Sequence, residues 1–282
     1  MSIYAKIRNF FHKKEKEVET QPSVNFIIKS LEEKGMQPEQ IVQGAEYMIA
    51  EGVRKSRNRE SFVEKAKEMT LSNAEPQSTG GMKKPDEDWL NRLYGIVEDI
   101  SDENMQTLWA RILAGEIKKP KSYSYRTLEV LRNISPDEAK RFVECTKYLC
   151  FKDQMLCNND YGLNLQDQLM LTDAGLISAE SLTNTVTVSA GGKVTFGLSR
   201  NHVMVVQNDL NEEKKIGFSI KKLTKVGMEV LNLISGDNYM ETADYIAKKL
   251  KEKGLTSIRL HKVTEWKSET QVSYNSIPEK NY

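Results

Sequence analysis

The sequence lacks long apolar runs and the short motifs that mark the commonest enzymes. Its apolar runs fall far short of the ~20 residues that span a bilayer, which excludes a membrane-spanning protein. Glycine-rich nucleotide loops, His-Glu-x-x-His and Gly-x-Ser-x-Gly are all missing. Only His202, in Ser199-Arg200-Asn201-His202, merits attention as a base, and a half-buried strand residue is its commoner explanation. The sequence therefore predicts a non-enzymatic protein without a cofactor or a small-molecule substrate.

Cysteine is scarce as well. The three cysteines, Cys145, Cys150 and Cys157, cannot all pair within one chain, and the first residues have no apolar stretch long enough for a secretory signal. Both features favour the cytoplasm. A zinc site usually has two-residue spacings and a fourth ligand nearby, and neither is present. We therefore expect buried structural thiols and no metal.

The balance of charge conceals opposed patches. The 282 residues include 41 Lys+Arg and 40 Asp+Glu, which gives a formal net charge of +1, yet the first fourteen residues carry +4. Residues 2–17 predict a short amphipathic helix whose apolar members are Ile3, Ile7, Phe10 and Phe11. Such a helix could contact an anionic membrane surface. The alternative is that it packs on the rest of the protein or on a second subunit.

A longer helix is predicted from Pro38 to Met69. Its inward stripe is expected to be Ile41, Val42, Ala45, Met48 and Ile49. Four cations follow within six residues: Arg54, Lys55, Arg57 and Arg59. They could bind phosphate groups, although no aromatic side chain lies between them to stack on bases. The alternative is a solvated helix face that pairs with neighbouring glutamates.

The patterns predict a mainly α fold with a smaller α+β module. The expected parts are an N-terminal helical domain over residues 1–71, a linker over 72–85, a helical region over 86–152, a winged-helix-like α+β module over 153–266 and a disordered tail over 267–282. In the helical region, apolar residues from Met105 to Ile117 recur at helical spacing, and Ser135, Pro136 and Glu138 form a capping-box pattern. No internal repeat is present.

The α+β module is similar to the winged helix of the multiple-antibiotic-resistance regulators. Its expected β-hairpin joins residues 185–189 to residues 193–198, and a strand follows at Phe218–Leu223. Those regulators bind DNA with a basic helix, but residues 153–192 contain no Lys or Arg and carry −5. We therefore expect this shape to serve protein contact. The alternative is a nucleic-acid-binding regulator that uses residues 54–59 and the basic wing flank at residues 214–225.

One stretch of sequence carries a family resemblance. It comprises Asp88-Trp89, the segment from Ser101 to Ile117 with its Leu108-Trp109-Ala110-Arg111-Ile112-Leu113-Ala114-Gly115-Glu116 core, and Arg126-Thr127-Leu128. These residues resemble the bacterial domain-of-unknown-function family 2806, and a weaker likeness extends to the Abi-alpha abortive-infection family. The family usually has Pro-Gly-Ser/Ala-Phe-Ser where this chain has Pro120-Lys121-Ser122-Tyr123-Ser124. Loss of that glycine suggests a stiffer loop.

The resemblance implies a bacterial cytoplasmic protein, encoded with phage-defence or other mobile functions, and it implies no reaction. Trp109 is expected in the core, and Gly115 is expected to permit a close helix contact. Packing alone does not require Arg111 or Glu116, so they could form a buried ion pair with a neighbouring helix or a partner-binding site. The sequence thus predicts an interaction or sensor protein that works through protein contacts, with self-association.

Overall fold

A computed structural model of the chain describes residues 33–35, 38–72, 85–234, 239–268 and 271–282. The chain divides into two compact units, residues 1–125 and 126–282. Unit 1 joins helices on both sides of the segment predicted as a linker, and most of that segment lies outside the described residues.

Unit 1 contains three described helices: α1 (Pro38–Ser72), α2 (Glu87–Val97) and α3 (Glu103–Lys118). Asp86 caps α2 and Asp102 caps α3, each by accepting a hydrogen bond from the backbone three residues on. The apolar spacing that predicted α3 is confirmed, with the cap one residue later than Ser101. The core consists mainly of large side chains from all three helices: Phe62, Leu90, Leu93, Trp109, Ile112 and Leu113.

The two halves of α1 differ in burial. We call residues 38–53 the outer half and residues 54–72 the inner half. In the inner half Phe62 and Ala66 are fully buried, whereas every side chain described between residues 43 and 53 is exposed or half-buried. The predicted inward stripe is therefore wrong at Met48 and Ile49, and its other members lie outside the described side chains. The reason is length: 35 helical residues extend about 52 Å, more than twice the length of α2 or α3.

Unit 2 begins with helices and continues into strands. Its helices are α4 (Tyr125–Asn133), α5 (Pro136–Cys145), a 3₁₀ turn (Thr146–Tyr148), α6 (Leu165–Asp173), α7 (Lys225–Leu231) and α8 (Met240–Lys251). The predicted capping box of α5 is confirmed, because Ser135 and Glu138 exchange side-chain and backbone hydrogen bonds.

The strands of unit 2 form two antiparallel sheets of five strands each. They are β1 (Leu149–Cys150), β2 (Gln154–Asn158), β3 (Tyr161–Gly162), β4 (Ile177–Val188), β5 (Lys193–Gly197), β6 (His202–Gln207), β7 (Lys214–Leu223), β8 (Ser257–Trp266), β9 (Val272–Tyr274) and β10 (Lys280–Asn281). The first sheet has the order β1-β2-β7-β4 with β3 on β2, and the second has the order β10-β8-β6-β5 with β9 on β8.

The core of unit 2 draws on both sheets and α8. The alternating residues Ile216, Phe218 and Ile220 of β7 contribute one face, as period-two burial in a strand requires. Helix α8 adds Ala243, Ile246, Ala247 and Leu250, the i, i+3, i+4, i+7 stripe of an amphipathic helix. Met204 and Leu260 come from the second sheet.

The predicted fold class is wrong, because unit 2 is mostly β and contains no winged-helix hairpin within its described residues. Strand β4 pairs with β7, from Ile177 opposite Leu223 to Val188 opposite Lys214, and β5 pairs with β6 in the other sheet. The buried Asn208 helps to explain this pairing. Its Nδ2 donates to the carbonyls of Val188, Ser189 and Glu212 at 2.8–3.1 Å, so it ties the end of β4 to the start of β7.

The predicted disorder of the tail is wrong for residues 271–282. Strand β9 pairs with the end of β8, and β10 pairs with Arg259 and Leu260. Tyr282 donates its backbone N–H to Ile258 and its hydroxyl to Asp244. The polar residues of this segment thus belong to strands on the edge of a sheet.

Candidate functional site

The segment that carries the family resemblance forms a clamp on the loop that follows it. Glu116 is 3% exposed, and its carboxylate accepts hydrogen bonds from the backbone N–H groups of Lys121 (2.6 Å) and Tyr123 (3.1 Å). Two backbone donors that would otherwise be unpaired are thereby satisfied by one buried charge. We call Glu116 and residues 119–124 the loop clamp.

Two further contacts close the loop clamp. A Cβ atom on Gly115 would lie 2.9 Å from Cε2 of Tyr123, so glycine at 115 admits the tyrosine ring. The close approach predicted for Gly115 is therefore to a side chain of the loop. The indole N–H of Trp89 donates to the Tyr123 carbonyl at 2.8 Å, which ties α2 to the same loop, and Trp109 is fully buried in the core.

Lys121 has a φ of 69°, in the left-handed region that favours glycine. This is the position at which the resembling family usually has glycine. A side chain in this conformation costs about 1–2 kcal/mol. The loop of this chain therefore retains the glycine-type backbone with a lysine in place of glycine.

Arg111 and Glu116 do not form the buried ion pair that the sequence left open. Arg111 is exposed, whereas Glu116 is buried and hydrogen-bonded to backbone. Glu116 therefore has a structural role. The sequence signal for it was a carboxylate one turn before a proline-containing loop, and its partners lie within seven residues.

The basic residues of α1 are paired inside unit 1. Arg54 contacts Glu51 (2.6 Å) and Asp99 (3.1 Å), and Lys55 contacts Glu98 (2.9 Å). Arg59 also pairs with Glu98, and Arg57 is exposed. The hydrogen bond to Glu98 raises the pKa of Lys55, and the hydrogen bond from Arg54 lowers the pKa of Glu51.

These ion pairs place α1 against the end of α2. Asn58 strengthens the contact by donating its Nδ2 to the Glu98 carbonyl at 2.9 Å. Three of the four cations predicted to bind phosphate thus contact carboxylates of their own unit.

The cations of the predicted wing flank also have partners. Lys215 pairs with Glu213 at 2.9 Å and Lys222 with Asp153 at 3.4 Å. Lys214 pairs with Glu212, Lys225 lies 3.8 Å from Glu229, and the buried Lys221 donates to the Ala179 carbonyl. A nucleic acid would have to compete with these contacts for every lysine of the flank.

His202 lies in an arrangement that superficially matches a nucleophile, base and acid. Its Nδ1 is 3.2 Å from Ser199 Oγ, and its Nε2 is 3.1 Å from Glu279 Oε2. Tyr239 stacks on the imidazole ring at 3.7 Å and donates to Glu279. However, Ser199 is 0% exposed, and its Oγ accepts the backbone N–H of Asn201 within a tight turn.

A nucleophile must reach its substrate, so this geometry favours a structural role in holding the turn before β6 and the Glu279 segment together. Glu279 could not have been found from the sequence, because no local pattern links it to His202.

A polar cavity of about 560 Å³ lies beside α8 in unit 2. Its charged groups are largely paired with one another: Asp160 accepts from Tyr245 (2.8 Å) and Lys249 (2.8 Å), and Lys249 also contacts Glu252. Burial and the hydrogen bond to Asp160 both raise the pKa of Tyr245. The arrangement leaves little unpaired charge with which to bind an ion.

The remaining predicted sites are the three cysteines and the apolar residues near the N-terminus. The predicted burial is confirmed for Cys145 and Cys150, whereas Cys157 is only half-buried; all three are free thiols. Ile3, Ile7, Phe10 and Phe11 lie outside the described residues. Within the described ranges, no three His, Cys, Asp or Glu side chains are grouped to hold a metal ion, and no helix could span a bilayer.

The feature that sequence reasoning missed is the outer half of α1. Tyr47, Met48, Ile49 and Val53 are between 48% and 71% exposed. Their helical spacing was the available signal, but it indicated burial. Their exposure in the structure shows that no described helix of unit 1 covers these side chains.

Comparison with known proteins supports one family. The profile of the family described as a protein of unknown function, DUF2806, matches residues 51–154 and 147–247. No curated protein and no solved structure matches the chain. The weaker likeness to the Abi-alpha family gains no support, and the defence role that depends on it stays a prediction. With the matched residues covering more than half of its length, the chain belongs to the DUF2806 family.

Proposed function

We propose that this protein is a non-enzymatic interaction protein whose contact surface is the outer half of α1. One observation carries the proposal: four large apolar side chains of one helical segment are exposed together. The consecutive residues Tyr47, Met48 and Ile49 point in different directions around the helix, so the segment exposes apolar surface on more than one side. Exposed apolar surface is typical of protein interaction sites. Ile49 and Val53 are neighbours at i, i+4, so the segment offers an apolar stripe to a partner.

The alternatives have weaker support. A nucleic-acid-binding regulator would use residues 54–59 and 214–225, but most of those cations are engaged by carboxylates. Since phosphate neutralisation supplies much of the affinity for nucleic acids, this pairing disfavours that function. A hydrolase built on Ser199 would need a reachable hydroxyl, and this one is enclosed.

Site-specific photo-crosslinking tests the proposal. A photo-reactive amino acid is introduced at position 49 in the full chain, which is expressed in its native cells. The matched control places the same group at position 277, because Ile277 is 79% exposed and lies in unit 2, between β9 and β10. We expect an intermolecular protein adduct of defined mass from position 49, absent from position 277 and lost when Met48→Asp is added.

Two experimental results would contradict the proposed interaction surface. If position 49 gives no protein adduct, or the same adducts as position 277, the outer half of α1 is not an interaction surface. If gel-shift assays at moderate salt detect nucleic-acid binding that Arg57→Glu abolishes, the regulator replaces it as the better function.

A further inference from the structure

We propose that the outer half of α1 binds a second copy of this chain, with the two α1 helices antiparallel. This inference deepens the proposed function, on which it rests, by naming the partner. One side of α1 carries it, because this side has opposite charges at its two ends and apolar side chains between them.

Four exposed side chains form what we call the contact stripe: Glu46, Ile49, Val53 and Arg57. They follow one another at intervals of three or four residues, so they lie on one side of the helix. Ile49 and Val53 are 48% and 53% exposed. Phe62, nine residues after Val53, is buried on the opposite side, because nine residues make two and a half helical turns. The contact stripe therefore faces away from the core of unit 1.

The charged ends of the contact stripe differ from the neighbouring ion pairs. Glu46 and Arg57 form no ion pair with any residue that the structure describes. Arg54, by contrast, is paired with Glu51 and Asp99. Glu51 is occupied by such contacts and lies off the stripe, so it adds no free charge there. Among the described residues, the contact stripe thus presents a carboxylate and a guanidinium without counter-ions, about three turns apart.

A stripe of this kind is complementary to itself when two helices run in opposite directions. Glu46 of each copy then faces Arg57 of the other copy, and Ala50 of each copy faces Val53 of the other. The arrangement has twofold symmetry, the commonest symmetry of protein dimers, and the same surface supplies both sides of the contact. In this register residues 38–65 of the two α1 helices overlap.

The charges also determine the direction of the helices. In a parallel pair, Glu46 would face Glu46 and Arg57 would face Arg57, and like charges oppose such contacts. Exposed ion pairs contribute little to affinity, whereas the burial of apolar surface drives most protein association. Ile49 and Val53 therefore supply the attraction, and the charged ends set the orientation and the register.

Sedimentation velocity of the purified full chain, at a series of concentrations, tests the pairing. We expect a monomer–dimer equilibrium whose dissociation constant rises by at least about tenfold with Glu46→Arg or Arg57→Glu, because either change places like charges at both ends of the dimer. The two substitutions together should restore the dimer, because both ion pairs form again with exchanged signs. Glu68→Arg is the matched control: Glu68 is exposed on the same helix but lies beyond the overlap, so the dissociation constant should not change.

Disulfide formation tests the direction of the helices. In the antiparallel register, the two copies of residue 53 lie about 5 Å apart along the helix axes, and the two copies of residue 43 lie about 26 Å apart. Val53→Cys should therefore form an intermolecular disulfide under mild oxidation, whereas Gln43→Cys, which is also at an exposed position, should not. The native thiols react slowly, because burial raises the pKa of Cys145, Cys150 and Cys157.

Any of four results would overturn the inference. They are a chain that stays monomeric at every concentration, a dimer that neither charge reversal weakens, a double variant as weak as the single variants, and a disulfide at position 43 as strong as that at position 53.

The two proposals can fail separately. If the photo-crosslink from position 49 joins this chain only to a different protein, the interaction surface stands and the second copy is removed as its partner. If position 49 gives no adduct at all, the proposed function itself fails. An adduct of twice the mass of the chain, together with rescue by the double charge reversal, supports both.

Discussion

The loop clamp and the outer half of α1 lie in the same unit, but only the loop clamp can be recognised from its amino-acid sequence. The loop clamp carries the clearest sequence likeness, and its polar residues Glu116 and Tyr123 are buried in contacts with backbone. The outer half of α1 carries no motif, and its apolar residues are exposed. A recognisable segment can therefore reflect packing, while the exposed apolar surface that we propose as an interaction site has no distinctive pattern.

This contrast has a physical basis. A buried charge tolerates few alternatives, because each missing hydrogen bond leaves an unpaired group inside the protein. An apolar contact surface tolerates many, because leucine, methionine and isoleucine can replace one another there. Substitutions in each region test this contrast.

Among substitutions in the loop clamp, Glu116→Ala should have the largest effect. It removes the acceptor of two backbone N–H groups in a buried site, so we expect the free energy of unfolding to fall by about 3 kcal/mol. Urea denaturation followed by circular dichroism measures this. Arg111→Ala, on the exposed face of the same helix, is the control and should change stability by less than about 0.5 kcal/mol. A small loss for Glu116→Ala would remove the structural explanation of the family segment.

Lys121→Gly should raise stability. The backbone at 121 already has a φ of 69°, so glycine relieves strain, although part of the gain is lost to the entropy of the unfolded chain. We expect a net increase of about 0.5–1 kcal/mol. Lys119→Gly, at an extended position of the same loop, should be neutral or destabilising. Destabilisation by Lys121→Gly would indicate that the lysine side chain itself stabilises the loop.

Acid should weaken the contact between the N-cap of α2 and Tyr125. Tyr125 donates to Asp86 at 2.5 Å, which with the Trp89 N–H lowers the pKa of this carboxyl. Because the folded-state pKa lies below the unfolded value, the contribution is present above about pH 4 and is lost as the pH falls through the folded pKa. Unfolding measured from pH 6 to pH 2 should show this decline, with a shallower slope for Asp86→Asn. Identical slopes would contradict it.

Ile49→Ala should have the smallest effect on stability. The side chain is about half exposed, so we expect a change within about 0.5 kcal/mol in the same urea experiment. Phe62→Ala, in the inner half of the same helix, should cost about 3–5 kcal/mol. Similar losses at both positions would show that the outer half of α1 is part of the core.

Local signals were read correctly from the sequence, and distant ones were not. The capping box at Ser135 and the stripe of α3 depend on residues three or four apart, which a linear pattern reveals. The pairing of β4 with β7 joins strands that β5 and β6 separate along the chain, and Asn208 supports it by binding carbonyls next to both strands. Alternation therefore identified the strands but assigned the wrong neighbour. Glu116 was singled out, yet its backbone partners depend on a loop shape that the sequence does not encode in any simple pattern.

The exposure of Met48 and Ile49 illustrates a second limit of structure prediction from sequence patterns. Helical periodicity identifies an apolar face, but whether a neighbour covers that face depends on the lengths and positions of other helices. Apolar residues at the same helical spacing are buried at Phe62 and Ala66 but exposed at Ile49 and Val53.

The distribution of tryptophan provides an optical handle on the two units. Trp89 and Trp109 are buried in unit 1, whereas Trp266 is half-buried in unit 2, where the Lys152 ammonium lies 3.4 Å from the ring centroid. Emission from the first pair and from Trp266 should therefore differ in wavelength and respond to different unfolding events. Fluorescence from a Trp266→Phe variant would follow unit 1 alone, so the order in which the two units melt can be observed without any added label.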